Sequence, residues 1–161
     1  MAILDNIRNV MNKVIRIICI VLFAFMVIIG TYQILVRYLF NSPSTVSEEL
    51  LTYSFTWMSL FAAAYVSGKR EHMRMGFLAD KLSGKNLTIL NVVIEIITIA
   101  FALIVMVYGG ISITSLSMTQ KTASLGIPMG YIYIVIPITG IVIAVYGILN
   151  VTDLIRKGEN V

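Results

Sequence analysis

Long apolar runs alternate with short polar segments along this chain of 161 residues. The apolar runs cover residues 14–37, 48–68, 87–118 and 129–152. Backbone amides in hydrocarbon must be paired within their own segment, so we expect each run to be an α-helix. The alternation of polar and apolar residues that membrane strands show is absent. The pattern therefore predicts an all-α integral membrane protein, a single domain over residues 1–161 with four transmembrane helices.

Two of the predicted helices carry features that should distort them. At 1.5 Å per residue the third helix would be about 48 Å long, while the hydrocarbon core of a bilayer is only about 30 Å thick. It must tilt, protrude or break, and the Gly109-Gly110 pair is the expected break. Pro137 removes one backbone donor from the fourth helix, so a mild kink is expected there.

The polar segment between the second and third helices contains a further short helical pattern. Met75, Leu78 and Leu82 share one face of a helix. We expect a short helix along the membrane surface over about residues 72–83. Met73 and Phe77 fall on the opposite side, so the amphipathic pattern is imperfect.

The positive charges predict how the helices cross the membrane. Short loops rich in Lys and Arg stay in the cytoplasm. Only two of the twelve Lys and Arg residues, Arg37 and Lys121, lie in the second and fourth polar segments. We therefore expect four crossings with both termini in the cytoplasm. The other ten residues are Arg8, Lys13, Arg16, Lys69, Arg70, Arg74, Lys81, Lys85, Arg156 and Lys157.

Composition supports a lipid environment and argues against nucleic acid as a partner. Hydrophobic residues make up 58% of the chain and charged residues 12%, whereas soluble domains carry about 25% charged residues. The net charge of +4 comes from residues that flank apolar runs. These residues form no basic patch with interleaved aromatics, so we interpret them as topology signals and contacts to anionic membrane lipids.

Small or polar residues form one stripe on each of the last three helices. Such stripes allow close backbone approach and hydrogen bonds between helices. They predict packing seams, and the sequence leaves open which of them face another subunit. The stripes are Glu49, Thr52, Thr56, Ser59 and Ala63; Asn91, Glu95, Thr98, Ala102, Val105, Gly109 and Ser112; and Pro137, Gly140, Ala144, Gly147 and Val151.

Glu95 is the one charge clearly inside an apolar run, about 12 Å along the third helix from its start. A charge at that depth is a candidate functional site, here for a proton or a cation. The alternative is a structural carboxylate near the cytoplasmic interface, paired with Arg16, Lys69 or a partner chain.

Charged residues also gather at the outer ends of the first two helices. The linker between them is short enough for Arg37 to reach Glu48 or Glu49. Both carboxylates lie at the N-terminus of the second helix, where the helix dipole stabilises negative charge. Ser47 is the expected cap of this helix. The group is either a clamp within this hairpin or a contact with another subunit.

The remaining candidate residues indicate helix packing and give no sign of a metal site or a catalytic site. Trp57 lies inside the second helix and needs a partner for its indole N–H. His72 is the only histidine, and without a second ligand it makes no metal site. No nucleophile–base set or phosphate loop is present, so we expect neither an enzyme nor a cofactor.

The stretch from Arg37 to Leu50, R-Y-L-F-N-S-P-S-T-V-S-E-E-L, resembles the signature of the small membrane subunit, DctQ or SiaQ type, of TRAP (tripartite ATP-independent periplasmic) transporters. Trp57 and the following alanines also match. The segment beginning His72-Met73-Arg74 is similar to the family's H-[IV]-R-[VL]-D-x-L pattern. The chain departs from the family at Val46, where Trp is usual, and at Gly76, where Asp is usual.

The resemblance implies a function for which the helical pattern alone gives no evidence. Such a subunit lies in the bacterial inner membrane and pairs with a large, sodium-driven elevator subunit of about a dozen helices. A periplasmic binding protein delivers an organic acid, with sialic acid preferred here over a C4-dicarboxylate. The small subunit would be a non-catalytic scaffold, and Asn41, Ser42 and Lys121 in its outer loops would be candidates for docking the binding protein.

A different class of function also fits the apolar pattern. The chain could be a self-sufficient homodimeric carrier, coupled to protons through Glu95. Known small multidrug transporters of that kind are shorter and place their carboxylate in the first helix, which counts against this hypothesis.

Overall fold

The structure is a computed structural model that describes residues 2–69 and 85–158. Within these residues the protein is helical apart from its connecting loops, which confirms the all-α prediction. The predicted surface helix over about 72–83, with His72 and Arg74, lies outside the described residues.

The helices are numbered here in chain order. The third apolar run forms α3, a π-helical segment, α4 and a 3₁₀ turn, which follow one another without a gap and are together called the third span. The fourth run forms α5 and α6, together called the fourth span. The bounds are α1 Ala2–Leu39, α2 Thr45–Lys69, α3 Lys85–Phe101, the π-helical segment Ala102–Gly109, α4 Gly110–Leu116, the 3₁₀ turn Ser117–Thr119, α5 Gly130–Tyr133 and α6 Val135–Gly158.

Three helical stretches of the described chain are long and apolar enough to cross a membrane. They are Leu4–Leu39, Ile89–Thr119 and Gly130–Leu154. The helix α2 has 25 residues, a sufficient length, but its serines, threonines and charged ends make it less apolar. The crossing by α2 therefore stays a prediction.

The third span does not break at Gly109-Gly110, so the sequence prediction of a break there is wrong. Both glycines have right-handed helical dihedrals, and the deviation from α geometry is the π-helical segment that ends at Gly109. Gly110 instead allows a close approach. A Cβ atom at Gly110 would lie 2.9 Å from Cδ of Pro137, so only glycine lets the two spans meet here.

The fourth span is interrupted one turn before its proline. The helix α5 ends at Tyr133 and α6 begins at Val135. Pro137 has no N–H to donate to the carbonyl of Tyr133, four residues earlier, which is where the α-helical pattern stops. The distortion expected at Pro137 is therefore present on its N-terminal side.

The helix α6 is the centre of the bundle. In the apolar part of Gly130–Leu154, 56% of residues are buried, against 6% in the apolar parts of Leu4–Leu39 and Ile89–Thr119. Its small-residue stripe faces the third span, since a Cβ atom at Gly140 would lie 2.7 Å from Cβ of Met106 and one at Gly147 would meet Ile99. The seam predicted on the fourth helix thus closes within this chain.

Candidate functional site

A hydrogen-bond network around Asn150 joins the helices where the chain termini lie, the terminal end of the bundle. Asn150 is only 1% exposed. Its Nδ2 donates to the carbonyl oxygen of Ser67, 3.1 Å away, and to Oε1 of Glu95, also 3.1 Å away. Its Oδ1 accepts from Nη2 of Arg8 at 3.1 Å. One amide side chain therefore connects α1, α2, α3 and α6.

Two further contacts hold the beginning of α1 against α6. Nη2 of Arg8 lies 2.7 Å from Oδ2 of Asp153 in an ion pair. The hydroxyl of Tyr146 donates to Oδ1 of Asn12 at 2.7 Å. The side chain of Tyr146 is fully buried, and a Cβ atom at Gly68 would lie 2.5 Å from Cε1 of its ring. The segment of α1 before the predicted apolar run is thus part of the packed bundle.

Glu95 is a member of this network. Its carboxylate accepts from Asn150 across the contact between α3 and α6, and it is partly exposed. Arg16, one of the cations that the sequence suggested as partners of Glu95, donates to the hydroxyl of Tyr65 at 3.4 Å. The hydrogen bond from Asn150 joins α3 to α6 through the carboxylate of Glu95.

At the opposite end of the bundle, the loop end, Glu49 binds the loop before α5. The backbone N–H of Ser124 donates to its Oε1 at 3.0 Å, and that of Leu125 donates to its Oε2 at 3.1 Å. An isolated antiparallel bridge between Lys121 and Pro128 closes the same loop. Hydrogen bonds between charged and neutral groups are about twice as strong as neutral ones, so Glu49 fixes this loop on α2.

Arg37 is exposed and forms no ion pair with Glu48 or Glu49, all three lying in the described part of the chain. The hairpin clamp that the sequence suggested is therefore not formed, because Glu49 is turned to the loop amides. The cap of α2 is also corrected: Oγ of Ser44 accepts from the backbone N–H of Ser47 at 3.4 Å. Ser44, the residue before the helix, is the N-cap.

Trp57 connects α2 to the interrupted fourth span. Its Nε1 donates to the carbonyl oxygen of Ile132 at 3.0 Å, and its ring meets Phe61 edge-on with centroids 6.4 Å apart. Ile132 belongs to α5, beside the interruption. The indole N–H thus has a partner within this chain.

The other candidates at the loop end are exposed. Asn41, Ser42 and Lys121 all face away from the bundle. Asn41 has a φ of 47°, a left-handed conformation that Asn tolerates, at the turn between α1 and α2.

An open groove runs between α2 and the third span, with α6 as its floor. Its volume is about 730 Å³. The predicted stripe on α2 lies along it: Thr56, Ser59 and Ala63 are exposed, and Thr56 and Ser59 line the groove with Phe101 and Met106 of the third span. The hydroxyl of Thr56 donates to the backbone carbonyl of Thr52 at 3.0 Å, so it needs no external partner.

Within the described residues no group of three or more His, Cys, Asp or Glu side chains could hold a metal ion. The polar side chains described above connect helices and loops of the chain to one another. The geometry therefore defines a helical membrane protein whose polar residues assemble it.

Comparison with known proteins gives the family. Residues 26–157 match the model of the DctQ component of tripartite ATP-independent periplasmic transporters, so the chain belongs to that family. The sequence is 30% identical over 143 residues to the sialic acid TRAP transporter small permease protein SiaQ of Vibrio cholerae, covering 86% of this chain and 79% of the relative. It is 24% identical over 157 residues to a protein of Haemophilus influenzae provisionally named a TRAP transporter small permease protein, covering 96% and 97%.

The relatives carry the names of transport proteins and not of enzymes. The resemblance read from the motifs around Arg37 and Glu49 is therefore confirmed at the level of the family. As a member of this family the chain is the small membrane component of a tripartite transporter.

Sequence reasoning missed the residues at the centre of the network. Asn150 is a buried amide near the end of the fourth apolar run, and a polar residue in such a run is the signal that would have found it. Arg8 and Asn12 gave no such signal, because they lie in a polar segment and their partners are more than a hundred positions away in sequence.

Proposed function

We propose that this chain is the non-catalytic scaffold of a sodium-driven transporter that imports an organic acid. The observation that carries the proposal is the position of Glu95, the charge deepest in an apolar run. It accepts from Asn150 across a helix contact, as a structural carboxylate does. If Glu95 serves to hold two helices together, it does not serve as an ion-coupling site. The transport pathway would then lie in a partner subunit.

The partner would be the large membrane subunit of the transporter, with about a dozen helices. The groove between α2 and the third span supports a position for it. Small and hydroxyl-bearing residues such as Thr56, Ser59 and Ala63 on a membrane helix favour contact with another helix. The same stripe on α6 is already covered by the third span, whereas the one on α2 is open. Helices of the large subunit would pack here. The small subunit would then enlarge the part of the complex that stays in place in the membrane.

The loop end would face the periplasm and help to dock the binding protein that delivers the substrate. Both termini would then lie in the cytoplasm and the protein in the inner membrane, as the Lys and Arg distribution indicates. Asn41, Ser42 and Lys121 are exposed at this end, and so are Arg37 and Glu48. Glu49 would act indirectly by holding the loop at Ser124 and Leu125 in one shape.

The substrate would be a carboxylate, with sialic acid preferred and a C4-dicarboxylate as the alternative. The name of the Vibrio cholerae relative, a sialic acid transporter subunit, supports the preference.

Reconstitution tests the scaffold proposal against the self-sufficient carrier. The chain is placed in vesicles with and without its large subunit, a sodium gradient is imposed, and uptake of labelled sialic acid and of a C4-dicarboxylate is measured with binding protein present. We expect uptake only with the large subunit, and we expect Glu95→Gln to retain part of it. Asp5→Asn, a change at an exposed carboxylate of α1, is the matched control.

The carrier hypothesis predicts the reverse result. Transport by the chain alone, abolished by Glu95→Gln and unaffected by Asp5→Asn, would contradict the scaffold proposal. Co-purification in mild detergent gives an independent measure. The scaffold predicts a stoichiometric partner of about a dozen helices, and the carrier predicts a homodimer.

A further inference from the structure

Two cations from different helices converge on one tyrosine at the terminal end of the bundle. Nη2 of Arg16 on α1 donates to the hydroxyl oxygen of Tyr65 on α2 at 3.4 Å. Nζ of Lys69, the last residue of α2, lies 4.9 Å from the centroid of the same ring. Arg16 and Lys69 are exposed, and Tyr65 is half-buried. The three groups therefore form a basic corner where α1 and α2 meet.

This corner has the chemistry that binds a phosphate. Like charges held near each other repel, and an anion between them removes that repulsion. Arg16 forms no ion pair with a carboxylate in the part of the chain that the structure describes. Its guanidinium has further N–H groups to donate, and the planar fork suits a phosphate. Tyr65 accepts from Arg16 through its oxygen, so its own O–H proton can be donated to the same anion.

An apolar surface leads from this corner into the membrane-spanning part of α1. Ile20, Phe23 and Val27 follow Arg16 at helical spacing on one flank, and they are 59%, 59% and 52% exposed. From Arg16 to Val27 the flank is about 16 Å long at 1.5 Å per residue. If the phosphate of a phospholipid binds at the corner, an acyl chain of the same lipid can lie along this surface.

We propose that Arg16, Tyr65 and Lys69 bind the phosphate of an anionic phospholipid, with an acyl chain along Ile20, Phe23 and Val27. The charge of the corner selects an anionic headgroup over a zwitterionic one, since the latter brings its own cation. The apolar flank selects a lipid over a soluble phosphate. The proposal needs only that the bundle lies in a membrane, so it stands whether or not the scaffold function is correct.

The test counts lipids on the full chain, purified with the partners that follow it in mild detergent. Phosphatidylglycerol or phosphatidylcholine is titrated in, and bound lipid is measured by native mass spectrometry. Each removed charge should weaken binding of phosphatidylglycerol about fivefold, so the Arg16→Gln/Lys69→Gln variant should bind about 25-fold more weakly. Binding of phosphatidylcholine should be weak throughout.

Three controls separate a site from general surface attraction. Lys13→Gln removes an exposed charge of α1 near Arg16 and should change the affinity far less. The charge-preserving Arg16→Lys/Lys69→Arg variant should keep most of the binding, which excludes loss by unfolding. Tyr65→Phe should weaken binding while leaving the charges in place.

Two results would overturn the proposal. Equal losses for Lys13→Gln and Arg16→Gln would show attraction by the basic surface as a whole. Displacement of bound phosphatidylglycerol by an equal concentration of inorganic phosphate would show a site for soluble phosphate, to which the acyl chain contributes nothing.

Discussion

Asn150 shows how one amide can organise a membrane bundle. A buried amide side chain has two donors and an acceptor to satisfy. Asn150 satisfies them with Ser67 on α2, Glu95 on α3 and Arg8 on α1. Because Asn150 itself is only 1% exposed and its three partners lie on three other helices, the hydrogen bonds favour one relative arrangement of those helices.

Removing this side chain should destabilise the protein. Asn150→Ala removes a buried side chain that forms hydrogen bonds with the charged groups of Glu95 and Arg8, and the loss of such a bond costs about 1–3 kcal/mol. We expect the free energy of unfolding to fall by about that amount in a titration with sodium dodecyl sulfate, followed by circular dichroism. Asn9→Ala, a change to an exposed amide of α1, should have little effect. Equal stability of the two variants would contradict the role of Asn150.

At the residue scale, sequence alone found the charge and not its partner. Glu95 was identified because a carboxylate in an apolar run is conspicuous. Its partner depends on which faces of α3 and α6 meet, and that is set by Gly140 and Gly147 against Met106 and Ile99. The pairing of Arg37 with Glu48 or Glu49 failed for a related reason, because loop amides compete for the carboxylate of Glu49.

At the scale of the helices, hydropathy predicted the presence of each element better than its course. The helix α1 begins at Ala2, well before the apolar run at 14–37. The polar residues Arg8 and Asn12 continue it because their partners lie on α6. A hydropathy pattern detects only the apolar part of such a helix and misses the polar turns before it. The π-helical segment Ala102–Gly109 has no signal of its own in the sequence.

The loop before α5 is an element whose shape should depend on a single carboxylate. Glu49→Gln leaves one side-chain oxygen, so one of the two amides at Ser124 and Leu125 loses its acceptor. Hydrogen bonds to charged groups contribute about 1.5–3 kcal/mol, so amide hydrogen exchange in this loop should accelerate about tenfold or more.

The neighbouring acid provides the control for this change. Glu48 is exposed on the same turn of α2, so Glu48→Gln alters the same charge near the helix N-terminus. Exchange at the loop should then stay at the rate of the unaltered protein. If both variants accelerate exchange equally, the loop responds to the charge of this end of α2 and not to the hydrogen bonds of Glu49.

At the scale of the whole molecule, α2 decides how the chain crosses the membrane. The other three long helices are apolar enough to cross by themselves. The helix α2 carries hydroxyl groups along its exposed stripe, and two of them, those of Thr52 and Thr56, donate to backbone carbonyls of the same helix. Such internal bonds lower the cost of placing α2 in hydrocarbon. Its contact to α5 through Trp57 adds a partner on the adjoining span.

Four crossings and three crossings place the two ends of α2 differently. With four, the loop at Ser42 and the segment at Ser83 lie on opposite sides of the membrane. With three, α2 lies along the surface and both positions share one side. A Cys19→Ala background removes the single native cysteine. In that background, the Ser42→Cys variant should react with an impermeant maleimide in intact cells that keep only the inner membrane.

The Ser83→Cys variant should react only after this membrane is opened, because the topology predicted from the Lys and Arg distribution puts this position in the cytoplasm. Asn9→Cys is the control for the same side and should behave like Ser83→Cys. Labelling of both Ser42→Cys and Ser83→Cys in intact cells would mean that α2 does not cross. Labelling of Asn9→Cys and Ser83→Cys but not Ser42→Cys would mean that four crossings exist in the reverse orientation, which would place the loop bound by Glu49 in the cytoplasm, away from any periplasmic partner.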